Sequence, residues 1–167
     1  MTNKKVLTYL PDYGIVYIER EVIVMIKEIN FDMDGTIANL YGCDGWLDDI
    51  LNERIDAYRD AKPMVNMNSL ARVLNRLVRN GWTVKVISWT AKNGANEYNK
   101  AVADTKRKWI AKHLKSVQFS EIVVIPYGTP KENYGNGILF DDEENNRNNW
   151  NGIAHDEKNI IEILKKL

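Results

Sequence analysis

The sequence predicts an α/β fold: a doubly wound, mostly parallel, Rossmann-like sheet with a small helical insertion. Two observations lead there. Short runs of strand-forming residues ("EINF", "TVKVIS", "EIVVIPYG", "NGILFDD") alternate with segments of helical period, the pattern of successive βαβ units. Acidic and hydroxyl residues gather where those runs end, and in such folds ligands bind at the carboxyl edge of the sheet.

The elements can be justified in order. "VLTYL" and "IVYIE" flank the turn signal Pro11-Asp12-Tyr13-Gly14, so a β-hairpin is expected within residues 1–24. Met25 opens "MIKEINFDMDGT", an ordinary start for the motif-bearing fold. Residues 1–24 are therefore expected to be an appendage to a catalytic domain at 25–167. Within residues 39–62, Leu47, Ile50, Leu51, Ile55 and Tyr58 recur at roughly helical spacing, as in one helix inserted over a site. "NMNSLARVLNRLVRNGW" places Leu70, Val73, Leu74, Leu77 and Val78 on one face, with Asn66 or Asn68 as N-cap and Gly81 past the end. "NEYNKAVADTKRKWIAKHL" is a helix with Tyr98, Val102, Trp109 and Ile110 inward, and its basic residues Lys106, Arg107 and Lys108 read as a solvated face. "EENNRNNWN" reads as a polar loop, and "DEKNIIEILKKL" as a closing helix.

Composition narrows the function. Lys plus Arg and Asp plus Glu are both 23, so net charge offers no general attraction for nucleic acid or an acidic membrane. The single cysteine, Cys43, cannot form an intramolecular disulfide, which fits a reducing, cytoplasmic setting. No stretch approaches the length of a membrane span.

The chemistry begins at "FDMDGTIA". Asp32 and Asp34 are one residue apart as a strand ends, so both carboxylates can project to one side while Met33 points away. Two acids so placed need a cation, a shared proton or ample solvent, and a hard divalent ion with oxygen ligands is the natural solution. Further along, "VKVISWT" ends a strand at Ser88, "PYGTPKENYG" carries Lys131 just beyond another, and "GILFDDEEN" sets Asp141 and Asp142 after a third.

In this order the four segments resemble the motifs of the haloacid dehalogenase (HAD) superfamily of phosphohydrolases. The resemblance spans Asp32 to Asp142 and implies a HAD-type sheet and a Mg²⁺-dependent phosphomonoesterase. Asp32 would be the nucleophile that becomes an aspartyl phosphate, and Asp34 the general acid and base. Thr36, Ser88 and Lys131 would bind the phosphoryl group, Lys131 also offsetting the carboxylates. Asp32, Asp34 and Asp141 would hold Mg²⁺, with Asp142 behind them fixing a metal-bound water or the lysine. Within the superfamily, "WTAKNGANEYNKAVADTKRKWIAKHL" through "GILFDDEENN" is similar to the 5′(3′)-deoxyribonucleotidase branch, including a Lys-x-x-Trp-like helix. This implies a small-molecule phosphomonoester substrate, a nucleoside monophosphate, with Tyr41, Trp46 and Trp89 available to stack on its base.

Two alternatives stay open: a phosphatase of nucleic-acid 3′ or 5′ ends, and a non-catalytic interaction protein that keeps the fold. A phospho-accepting receiver domain is disfavoured because its acidic pair comes early and its acceptor mid-chain. His113 and His155 are assigned surface or capping roles, and Trp82, Trp109 and Trp150 to packing.

Overall fold

A strand with no polar face must be covered on both sides, and Ile29, Asn30 and Phe31 are all but inaccessible. They lie at the centre of the sheet in a computed structural model that describes residues 6–10, 14–18 and 26–167. The chain begins with β1 (Val6–Leu10), β2 (Gly14–Ile18), β3 (Glu28–Phe31) and β4 (Ala38–Asn39). Helices α1 (Trp46–Leu51) and α2 (Asp56–Asp60) then precede β5 (Lys62–Pro63) and α3 (Met67–Arg79). The second half runs β6 (Thr83–Trp89), α4 (Asn96–His113), β7 (Glu121–Ile125), β8 (Ile138–Phe140), α5 (Glu144–Asn149), β9 (Ile153–His155) and α6 (Ile160–Lys165).

The main sheet has the order β7-β6-β3-β8-β9 and every pairing in it is parallel. From β3 the chain adds strands outward on one side, then crosses to the other. That reversal creates a switch point between the carboxyl ends of β3 and β8, where Asp32 and Asp141 follow. On the remaining part, β1 and β2 pair antiparallel, with Val6 opposite Ile18 and Leu10 opposite Gly14. The expected turn at Pro11–Tyr13 and the junction at Met25 lie outside the described residues.

Helix α3 starts at Asn66, whose side chain accepts from the Ser69 N–H at 2.9 Å, and it buries Leu70, Val73, Leu74 and Leu77. These pack with Phe31, Val84, Val86, Trp109, Phe140 and Leu164 in the main core. Trp82, Trp109 and Trp150 are buried packing residues. Of the two histidines, His113 lies against Trp109, and His155 stacks on Phe140 at 5.5 Å from within β9.

Three expectations need correction. The insertion holds two short helices instead of one: Glu53 takes a positive φ of 53° between them, and Arg54 turns back to pair with Asp48 and Asp49. Leu47 and Leu51 consequently stay exposed, while Tyr58 is buried. The insertion is rooted by the β4–β5 pair and by the Tyr98 hydroxyl, which donates to the Arg54 carbonyl at 3.1 Å. Secondly, "EENNRNN" is helix α5, not loop, because its side chains bond to the preceding acidic pair. Arg147 donates to the carbonyls of Asp141 and Asp142 at 2.8 and 2.6 Å, and Asn146 to the Asp141 carboxylate. Thirdly, Lys106 is buried and does not belong to a solvated face.

Candidate active site

The backbone after β3 fixes the site. Beyond Phe31 the chain folds tightly over the Met33 carbonyl, which accepts from the N–H groups of Ile37 and Ala38 at 3.0 and 2.8 Å. Met33 is drawn into the core while Asp32 and Asp34 face the other way. Gly35 makes the turn possible: its φ is 81°, and a Cβ there would come within 2.3 Å of an Asp142 carboxylate oxygen.

Lys131 sits at the centre, 2 % exposed, at the start of a short 3-10 turn beyond β7. Its Nζ lies 2.8 Å from Asp32 Oδ1 and 2.7 Å from Asp141 Oδ2, and 4.7 Å above the Trp89 ring. Burial works against its charge, but Asp32 and Asp141 outweigh burial and hold the ammonium above the usual lysine range. Asp141 is tightly held as well: the Glu143 N–H, Asn146 and Lys131 all donate to its carboxylate.

Asp32, Asp141 and Asp142 present carboxylate oxygens within 4.8 Å of one another. Such crowding is costly without a cation. Burial, reinforced by Asp32, raises Asp141 to about 6 and Asp142 to about 7. With Asp34 included, four carboxylates share the two ammonium groups that lie within salt-bridge distance of them among the described residues, Lys131 and Lys106. A hard oxygen donor set with this excess of negative charge fits a divalent ion such as Mg²⁺.

The structure distributes the expected residues differently in three respects. Asp34 was assigned to the metal, but its carboxylate lies outside the trio, bonded at 2.5 Å to Lys106; Asp142 occupies the third corner. Thr36 was assigned to phosphate, but it is fully buried and its hydroxyl is committed to Asp142. The hydroxyl donates to Asp142 Oδ1 at 3.1 Å and accepts from the Asp142 N–H at 3.0 Å. Thr36 thus ties the β3 loop to the β8 loop. Asp142, in turn, does not contact the lysine, which bonds Asp32 and Asp141.

Ser88, at the end of β6, is buried and accepts from Lys106 at 2.9 Å. Lys106, expected on a solvated face, carries a signal of its inward position in the sequence. Lys106 falls one turn after Val102 and one turn before Trp109 and Ile110, on the inward stripe of α4.

A cleft of about 280 Å³ opens above Asp32, Asp34, Ser88 and Lys131. Tyr41 and Trp46, edge to face at 5.1 Å, form one wall from the insertion. Trp89 and Tyr127, 5.0 Å apart, form the other; the Trp89 indole is anchored by donating to the Thr129 carbonyl at 2.8 Å. The three expected aromatic contacts therefore line the cleft, and Tyr127 joins them. No helix among the described residues is long and apolar enough to cross a membrane.

No protein-family model matches the sequence, and no curated protein matches it. Among solved structures, the chain is similar to D,D-heptose 1,7-bisphosphate phosphatase from B. bronchiseptica, complexed with magnesium and phosphate. The identity is 13 %, over 74 % of each chain, with a TM-score of 0.45. It is also similar to the D,D-heptose 1,7-bisphosphate phosphatase from Burkholderia thailandensis, at 11 % identity over 73 % of this chain and 70 % of that one, with a TM-score of 0.43.

Proposed function

We propose that the chain is a Mg²⁺-dependent phosphomonoesterase working through an aspartyl phosphate on Asp32, with nucleoside monophosphates as its substrates. The observation that carries this reading is the placement of Lys131 between Asp32 and Asp141 at the floor of an aromatic cleft, with Asp34 two residues along.

Lys131 holds one oxygen of the Asp32 carboxylate, which leaves the other to attack phosphorus. A carboxylate needs no deprotonation at neutral pH. As the bond from Asp32 to phosphorus forms, the ester P–O bond breaks, and Asp34 in its protonated state passes its proton to the departing oxygen. Burial favours that state, raising Asp34 above the usual carboxylate range against the opposing pull of Lys106. In the second half Asp34 takes a proton from the water that attacks phosphorus, and the bond to Asp32 breaks. Ser88 accepts from Lys106, so its own hydroxyl proton is free for a phosphoryl oxygen. Asp32, Asp141 and Asp142 would hold Mg²⁺, whose charge screens the incoming phosphate from the carboxylates.

The substrate class follows from the walls. Small-molecule sites span roughly 300–1,000 Å³, so a cleft this size suits one compact ligand, and four aromatic rings favour a planar group. A neighbouring polar hollow beyond Trp89 and Tyr127 carries Glu132, which would repel a phosphodiester backbone running that way. That disfavours nucleic-acid ends.

A phosphate-release screen at fixed Mg²⁺ tests the reading, using nucleoside 5′- and 3′-monophosphates, short oligonucleotides with phosphorylated ends, and sugar phosphates. Mononucleotides should lead in kcat/KM. A lead by oligonucleotide ends would favour end processing, and a lead by sugar phosphates would remove both nucleotide readings.

A further inference from the structure

We infer that Lys106 is a positioning residue that clamps one carboxylate oxygen of Asp34 and leaves the other, unpartnered, as the atom that moves the proton. This rests on the phosphomonoesterase reading above.

Lys106 projects inward from α4 and is 1 % exposed. Its ammonium has three protons and three acceptors: Asp34 Oδ2 at 2.5 Å, Ser88 Oγ at 2.9 Å and the Trp89 carbonyl at 2.5 Å. The Tyr58 ring covers it, with its centroid 5.2 Å away. A fully committed ammonium has no donor left for a phosphate. Its bonds to Ser88 and Trp89 fix it to the end of β6, and the remaining bond fixes Asp34.

Asp34 Oδ1 is the complement. It is buried and has no hydrogen-bond partner, yet Asp34 lines the cleft. A buried carboxylate oxygen left without a partner is unfavourable, so the site is completed only when an incoming group shares a proton with it. The departing ester oxygen and then the attacking water are those groups. Lys131 cannot substitute for Lys106, because it is engaged with Asp32 and Asp141.

The test measures kcat/KM with two esters of similar size, p-nitrophenyl phosphate and 2-phenylethyl phosphate, in the parent, K106M, D34N and the double variant D34N/K106M. The aryl leaving group departs without a proton, whereas the alkyl one requires it. K106M should lose about 100-fold or more on the alkyl ester and less than about 10-fold on the aryl ester, the split expected when proton transfer alone is impaired. Once Asp34 is neutral, removing Lys106 should change kcat/KM by less than about 3-fold, since residues acting as a unit are not additive. The double variant lacks both charges, so this comparison stands even if K106M, with its uncompensated Asp34, fails to fold. Equal losses on both esters would overturn the inference. So would a further loss of about 10-fold or more between D34N and D34N/K106M, which would mean that Lys106 serves the phosphate, directly or through Ser88. A parent protein that cleaves neither ester nor any substrate of the phosphate-release screen would instead overturn the phosphomonoesterase reading, and the inference with it.

Discussion

The crowded carboxylates at the switch point should make Mg²⁺ a stabiliser of the fold, and only at neutral or higher pH. Asp142 is raised to about 7 and Asp141 to about 6, from the ordinary aspartate value of 3.8. A raised carboxylate favours the folded state below its unfolded value, and that contribution is lost as pH climbs through the folded value. The metal-free protein should therefore lose stability between about pH 4 and pH 7. Asp142 carries the larger shift but is only partly buried, so solvent screening leaves it a contribution of roughly 1–2 kcal/mol. Because both groups repel Asp32, the two shifts are not summed.

Mg²⁺ requires the ionised carboxylates. At 100 times its dissociation constant at pH 8 it should add about 2.7 kcal/mol. For a chain of this length that is a rise in Tm of roughly 5–10 °C. At pH 5 the same concentration must displace protons from both acids, which weakens binding by roughly a thousandfold and shrinks the rise to about 1 °C or less. Melting curves with and without Mg²⁺ at the two pH values provide the assay. In D142N the rise at pH 8 should disappear, while the metal-free protein becomes no less stable than the parent. A rise of equal size at pH 5 and pH 8, or none at pH 8, would refute the assignment of these acids to a cation.

Two further outcomes are expected. Asp141→Asn should keep the fold but raise the Mg²⁺ needed for half-maximal activity by roughly 10-fold or more, with activity partly recovered at high Mg²⁺; a titration matching the parent would remove Asp141 from the metal. A chain beginning at Met25 should retain its kcat/KM, because residues 1–24 carry no residue assigned to the site; a folded but inactive shortened protein would show that the hairpin supplies a contact.

Much of the site was legible because its residues sit where strands stop. Asp32, Ser88 and Asp141 each fall at or just after the end of an apolar run, and a parallel sheet brings such ends to one edge. Lys131 was accessible by the same logic. What stayed hidden depended on tertiary contacts. Lys106 lies among basic residues, and its burial follows from acceptors supplied by Asp34, Ser88 and Trp89 far away in the chain. Thr36 was placed on phosphate because its hydroxyl follows the two aspartates, but Asp142, on another loop, takes it. Helix α5 escaped notice because its asparagines have weak helix propensity, and bonds from Asn146 and Arg147 to the acidic pair anchor it. Strand β9 is three residues long and shows no period of its own; its place is set by pairing with β8.

As the proposed nucleophile, Asp32 should carry the phosphoryl group during turnover. The most direct test is to quench the protein in acid during steady-state hydrolysis of the best substrate and to locate phosphate by peptide mass spectrometry. A phosphorylated peptide containing Asp32 is expected, absent from Asp32→Asn, which should also lose turnover while staying folded. Active hydrolysis by Asp32→Asn at the parent rate, or a phosphoryl group found on a different residue, would contradict that role of Asp32.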